Sequence, residues 1–457
     1  MKFYLISLGC AKNLVDSETL AGRMTRSGFT RSDSLEKATL VILNTCAFIQ
    51  PAKEEAIEEI LKLAEWKKRR TGRKILVCGC LPERYREQIV QQFPEVDFWA
   101  GVHDQASIPA MFKKENKKLG GAPFREAPRS YEEGGLREVS SPPHWAYLKI
   151  AEGCDHRCTF CVIPAIRGKY RSRRPEDILD EARQLALRGA KELNLIAQDT
   201  TAYGKDLPGK PALSELLKQL CRLPKLKWIR VLYAHPQGLS EDLLDVMAGE
   251  KKICRYLDLP LQHADSSILR RMGRTGNGRE FLLLLKRLRK RLPGITVRTS
   301  FIVGFPGEGE KEFQNLLEFV EEARFDKVGA FAYSREEGTP SERLLPRVHH
   351  ATRERRLRVL MEKQQSISLE KNLSLIGSTL PVLVEGLFDG KLTNLPGAGH
   401  QGSSLWVGRS CRDAPEVDGC VFFTSRDALR GDILNVKITG AEPYDLTGEI
   451  FDADAKA

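Results

Sequence analysis

Long apolar runs are missing: no stretch of the 457 residues approaches the length that spans a bilayer. The opening residues, MKFYLISLGC, lack the flanks of a secretory leader. Both absences lead to the expectation of a cytoplasmic protein with no membrane partner. A disulfide scaffold is excluded as well, because eleven cysteines are an odd number in a chain far longer than the secreted domains that need such staples. Acidic balance is also lacking. The 72 Lys and Arg outnumber 61 Asp and Glu, for a net +11, which favours an anionic partner such as RNA or a ribosome.

What is present is alternation. FYLISLGC, ATLVILNTC and KILVCGC are short apolar runs, each followed by a helical pattern. They predict a parallel α/β domain over residues 1–117. Each run ends in cysteine, at Cys10, Cys46 and Cys80. Ligands collect at the carboxyl ends of strands in such sheets, so the three thiols should meet in one crevice. Cys78 lies one step back along its strand and reads as structural. Cys221 and Cys254 read as buried hydrophobes, and Cys411 and Cys420 lack ligand-like spacing.

Residues 118–139 fall in a stretch rich in Gly, Pro and charge, which reads as a linker. Alternation then resumes through six βα units, predicting a partial (β/α)6 barrel over 140–370. In such barrels chemistry sits on the loops after the strands. The polar residues fall there: the cysteine loop, then Gln198 and Asp199, His235, Gln262 and His263, Gly304–Gly307, and Tyr333 with Ser334. From 373 to 441 short β runs with Gly turns predict a small antiparallel β-barrel.

The sharpest motif is Cys154-Asp-His-Arg-Cys158-Thr-Phe-Cys161, a C-x3-C-x2-C loop after a strand. Thiolates suit iron–sulfur clusters and zinc. Structural zinc wants four closed ligands, and His156 is wedged between two of the cysteines in a tight loop. Three thiolates on a four-iron cluster instead leave one iron open for S-adenosylmethionine. Gln198 and the Gly304-Phe305-Pro306-Gly307 turn stand at strand ends where that cofactor should lie, the glycines allowing close backbone approach; the turn also reads as a plain βα connection. No side chain is assigned as acid, base or nucleophile.

In this frame the chain resembles the radical S-adenosylmethionine methylthiotransferases along essentially its whole length. The likeness is carried by SLGCAKNLVDSE at 7–18, LNTCAFI at 43–49, GCDHRCTFCVIPAIRGKYRSR at 153–173, IAQDTTAYG at 196–204, LDLPLQH at 257–263, IVGFPGE at 302–308 and AYSREEGTP at 332–340. The CAKN segment and GRSCRDAPEVDG at 408–419 look like the branch that modifies an aspartate of the twelfth small-subunit ribosomal protein. Cys411 departs from that branch, where an aromatic residue is more usual. The resemblance implies a TRAM-type terminal barrel and a second four-iron cluster on Cys10, Cys46 and Cys80 that delivers sulfur. It also implies a 5′-deoxyadenosyl radical, made at the Cys154/Cys158/Cys161 cluster, that takes hydrogen from the aspartate β-carbon.

Two other readings compete. One is a transfer-RNA methylthiotransferase acting on a modified adenosine; the other is a non-catalytic RNA-binding iron–sulfur or zinc protein. Residues 270–291 hold nine Lys or Arg and one Glu, a charge that reads as a solvated helix face or as a ribosomal RNA contact. Residues 373–441 hold six Lys or Arg and seven Asp or Glu. A barrel so lacking in positive charge suits a basic ribosomal protein better than phosphate. Asp413 and Glu416 are expected to face that partner.

Overall fold

The computed structural model describes residues 1–112, 124–131, 137–388 and 404–451. Much of the expected linker, 118–139, lies outside the described residues. No helix among them is long and apolar enough to cross a membrane.

Strands β1 (Lys2–Ser7), β2 (Thr30–Arg31), β3 (Leu40–Thr45), β4 (Lys74–Gly79) and β5 (Phe98–Ala100) form a parallel sheet in the order β2-β1-β3-β4-β5. The central β3, LVILNT, is buried at every position, as expected of a strand covered on both faces. Register sets Ser7 beside Asn44 and Thr45 beside Gly79. The turns carrying Cys10, Cys46 and Cys80 therefore leave the carboxyl end of the sheet side by side.

The second unit begins with β6 (Trp145–Lys149) and a short antiparallel pair, β7 (Ala151–Glu152) with β8 (Arg171–Ser172). It continues with β9 (Glu192–Ile196), β10 (Trp228–Val231), β11 (Ile253–Asp258), β12 (Thr296–Val303) and β13 (Lys327–Ala332). Six parallel strands run in the order β13-β12-β11-β10-β9-β6, the partial barrel the alternation predicts.

Strands β14 (Thr379–Leu387), β15 (Ser404–Ser410), β16 (Val421–Ser425), β17 (Ile433–Ala441) and β18 (Leu446–Ile450) close into a barrel. Val382, Val384, Val421, Phe423, Val436 and Ile438 fill it. Two details differ from expectation. β18, whose short LTGEI run carries little apolar signal, extends the barrel past residue 441. It also pairs in parallel with β16, so the barrel is not antiparallel throughout.

The loop between β15 and β16 plugs the partial barrel near the strands' first residues. Ala414 and Cys411 pack with Trp145, Tyr147, Trp228 and Tyr256. Around them Lys327 pairs with Asp413 at 2.9 Å, the Tyr147 hydroxyl donates to Glu416 at 2.8 Å, and the Tyr256 hydroxyl donates to Asp418 at 2.6 Å. The expectation for Asp413 is thus corrected: its buried carboxylate holds the barrel against its neighbour instead of facing a partner, whereas Glu416 stays exposed while it accepts from Tyr147.

Candidate functional site: two thiol sets around a buried arginine

The first thiol set is built by the turns after β1, β3 and β4. Gly79 has φ of +96°, and a Cβ there would lie 2.2 Å from Asn44 Oδ1, so only glycine lets the chain turn into Cys80. Gly9 backs onto Cys46 just as closely, with 2.5 Å between a built Cβ and Cys46 Cβ. Two asparagines lock the turns together. Asn13 Nδ2 donates to Leu8 O at 2.6 Å, and Asn44 Nδ2 donates to Asn13 O at 3.0 Å and Ser17 Oγ at 2.8 Å.

Cys10 caps the helix Ala11–Arg26, where unpaired N–H groups and the helix dipole favour a thiolate. Cys10 is exposed, and its desolvation is outweighed by the Lys12 and Arg167 charges with the Lys12 and Asn13 amides, leaving it below the ordinary thiol value. Burial pushes Cys46 up and Cys80 up to about 12, the latter against the pull of Arg167. Cys78 is fully buried in the core and its thiol is raised by that burial, as its structural reading requires.

The second set rides on the loop after β7. Gly153, at φ +78°, lets the chain pass 2.1 Å (built Cβ) from Lys169 O, and Cys154 N donates to Gly168 O at 3.1 Å. Thr159 ties the loop to Met272 O and Arg271 O at 2.9 and 2.7 Å. Arg274 reaches Cys158 Sγ at 3.7 Å. Burial lifts Cys154 to about 11 and Cys161 to about 12, so metal binding there would displace protons. His156 turns away from the thiols, 2.7 Å from Asp199 Oδ2 and stacked on His235 at 4.1 Å between ring centroids. His263 is buried, accepting from Asp265 N at 2.9 Å.

Gln198 reaches the same loop, donating to Glu152 Oε1 at 2.8 Å, while its own Oε1 is buried without a partner. That orphaned acceptor fits a bound group carrying N–H or O–H donors. The Gly304–Gly307 turn is closely packed by the chain's own groups. Cβ atoms built at Gly304 and Gly307 would lie 2.2 Å from Arg353 Cγ and 2.5 Å from Arg271 Nε. The two amides already donate to Glu308 Oε2 and Pro346 O, and Arg271 Nε donates to Pro306 O. The glycines make room for the chain's own arginines. The turn meets the site through Phe305, edge-on to Phe160 beside Cys161 at 6.3 Å.

Between the thiol sets lies a charged network that sequence reasoning missed. Arg167 Nη1 donates to Asp16 Oδ2 and to both Glu152 oxygens at 2.9 Å, and Lys149 completes the network at Asp16 and Glu152. Glu336, also missed, joins the partial barrel to the first domain through Lys53 at 3.0 Å, Arg84 at 3.1 Å and Gln50 N at 2.8 Å. Arg167 and Glu336 lie inside quoted motifs, but nothing in their spacing marks partners in the first domain.

Among the described residues no His, Cys, Asp or Glu side chains gather in threes as for a single metal ion. A cluster differs, since each thiolate takes its own iron. Two three-thiol sets, one of them beside two cations, suit anionic clusters in donor type and charge.

Residues 2–101 match the Uncharacterized protein family UPF0004, 148–320 the Radical SAM superfamily and 376–451 the TRAM domain. The ribosomal protein uS12 methylthiotransferase RimO of Geobacter sulfurreducens is 43% identical over 451 residues, 98% of each chain. That of Pelotomaculum thermopropionicum is 45% identical over 453 residues, 98% of this chain and 99% of its own. Among solved structures, the radical S-adenosylmethionine methyltransferase TsrM from Kitasatospora setae shares the fold, with a TM-score of 0.57 at 15% identity over 86% of this chain and 79% of its own. With such identity along nearly the whole of both chains, the protein belongs to the ribosomal protein uS12 methylthiotransferase family.

Proposed function

We propose that this chain inserts a methylthio group at the β-carbon of an aspartate of ribosomal protein uS12. The observation that carries this is the end-to-end identity to uS12 methylthiotransferases, joined to two three-thiol sets facing a common network. Cys154, Cys158 and Cys161 would hold the four-iron cluster that meets S-adenosylmethionine. Cys10, Cys46 and Cys80 would hold the second cluster. When bound, these groups supply the electron, the radical and the sulfur that side chains cannot, since acid–base catalysis does not open an unactivated C–H bond near neutral pH.

The chain's own residues bind and orient. Gln198 offers its unpartnered Oε1 to a donor of S-adenosylmethionine, and Phe305 steadies the cysteine loop through Phe160. Arg167, with Asn13 and Asn44, fixes the first thiol set relative to the second. Sequestering the reacting carbon between two domains keeps water from the radical. The transfer-RNA alternative finds no support among the uS12 relatives. A ribosomal substrate is what a cytoplasmic enzyme would meet, and ribosomal RNA is the second partner proposed for the basic segment 270–291.

The test is the mass of uS12 from cells with and without this gene. Loss of one methylthio group on deletion supports the reading. An unchanged uS12, or a methylthio group missing from transfer RNA instead, overturns it.

A further inference from the structure

Arg167, Arg274 and Lys12 stand beside the thiols, and the first two are committed. Arg167 is engaged by Asp16 and Glu152. Arg274 donates to Pro260 O at 2.6 Å and reaches Cys158. Lys12 differs. It is half-buried, and no carboxylate among the described residues pairs with it. Its ammonium sits 3.4 Å from the centroid of the Tyr233 ring, whose face attracts a cation, and its charge also acts on Cys10.

Tyr233 is itself strained into place. Its φ is +57°, a left-handed conformation that a bulky side chain rarely adopts. Its N–H donates to Asp258 Oδ2 at 3.3 Å, and its carbonyl accepts from Thr200 N at 3.0 Å. Such strain persists where the surroundings over-determine it, typically at ligand clamps. Here it sets an aromatic face at the end of β10 beneath an ammonium from the first domain.

We propose that Lys12 recognises the side-chain carboxylate of the substrate residue, and so selects aspartate over asparagine. The inference rests on the aspartate reading above and deepens it. A residue attacked at its β-carbon carries its carboxylate on the adjoining carbon, so the group that reads this charge must stand next to the reacting atoms. Lys12 is two positions from Cys10 in sequence, on the helix that Cys10 caps. Asparagine has the same shape without the charge, and would leave the ammonium desolvated and unmatched.

The experiment measures equilibrium binding of isolated uS12, carrying either its target aspartate or asparagine there, to cluster-loaded wild-type, Lys12→Met and Lys12→Arg enzymes. A charge-assisted hydrogen bond corresponds to roughly 10- to 100-fold in affinity. Wild type should therefore prefer aspartate by about that factor, Lys12→Met should bind both forms alike, and Lys12→Arg should regain part of the preference. Undiminished preference in Lys12→Met overturns the proposal. So does loss of iron in that variant, which would give Lys12 to the cluster. A wild-type enzyme that modifies uS12 yet binds both forms equally overturns the inference alone. One that leaves uS12 unmodified overturns the aspartate reading with it.

Discussion

Arg167, in the segment that follows Cys161, extends Nη2 to within 3.6 Å of Cys80 Sγ in the other thiol set. One guanidinium thus touches the first thiol set, the helix that starts after Cys10, and the acidic residue that leads into the second. Glu152 is held well below the usual carboxylate range, because Arg167 and Lys149 outweigh the cost of its burial. Arg167→Met would leave Asp16 and Glu152 to share Lys149. Breaking a buried pair from one side costs roughly 3–5 kcal/mol, so the urea midpoint of the apo protein should fall accordingly. Adding Asp16→Asn should recover part of the loss, and a double-mutant cycle reads that coupling. A shift below about 1 kcal/mol would mean that the network is not what joins the domains.

The thiol sets should separate by mutation. Cys158→Ala should abolish cleavage of S-adenosylmethionine to 5′-deoxyadenosine under anaerobic reducing conditions. Cys46→Ala should keep cleavage, uncoupled, and yield no methylthio product. Iron analysis checks the assignment independently, with about eight irons per wild-type chain and about four in either variant. Wild-type cleavage by reconstituted Cys158→Ala contradicts it.

The parts of this arrangement that were legible in the sequence are those with a period or a short spacing. Short apolar runs alternating with helical patterns give both parallel sheets, and C-x3-C-x2-C gives the loop after β7. Cys10, Cys46 and Cys80 could be joined only because each ends an apolar run, which the sheet order then brings side by side. Arg167 and Lys12 stood inside quoted motifs but had no local signature, since their partners Cys80 and Tyr233 are far off in sequence. Gly304 and Gly307 are ambiguous in the sequence for a related reason. A glycine declares that something comes close, and here it is Arg353 and Arg271 that do so. Net charge misled at Asp413, because a total carries no information on which carboxylates are buried.

Acid should undock the terminal barrel. Burial raises the pKa values of Glu192, Glu385 and Asp413, but Arg409 and Arg230 around Glu192, His144 and Arg409 around Glu385, and Lys327 beside Asp413 bring all three below the usual values. Carboxyls depressed on folding add stability that is present above their unfolded pKa, near 4, and lost as pH falls through the lower folded value. Fluorescence of the interface tryptophans Trp145 and Trp228 should therefore hold constant above about pH 5 and change below about pH 4. Asp413→Lys sets two ammonium groups together and should destabilise the interface by roughly 3–5 kcal/mol. Intact stability in that variant, with weaker binding of uS12, would return Asp413 to the exposed role first expected of it.

The basic helix Gly278–Arg291 carries the last prediction. It buries Phe281, Leu285 and Leu288, and several of its cations are already engaged. Arg287 pairs with Glu241, Arg291 with Asp245, and Arg289 donates to Ala323 O. Arg270, Arg279, Lys286 and Lys290 remain exposed with no acidic partner among the described residues. A solvated face would tolerate their loss without consequence. A face that meets ribosomal RNA releases counterions on binding, and each phosphate contact removed lowers the salt slope by about one. Lys286→Ala with Lys290→Ala should therefore weaken binding to the small ribosomal subunit and flatten its log–log salt dependence by about two. Modification of free uS12, which carries no phosphate, should keep its rate. An unchanged slope would assign this charge to solvation, and an equal loss on free uS12 would place the helix at the protein substrate instead.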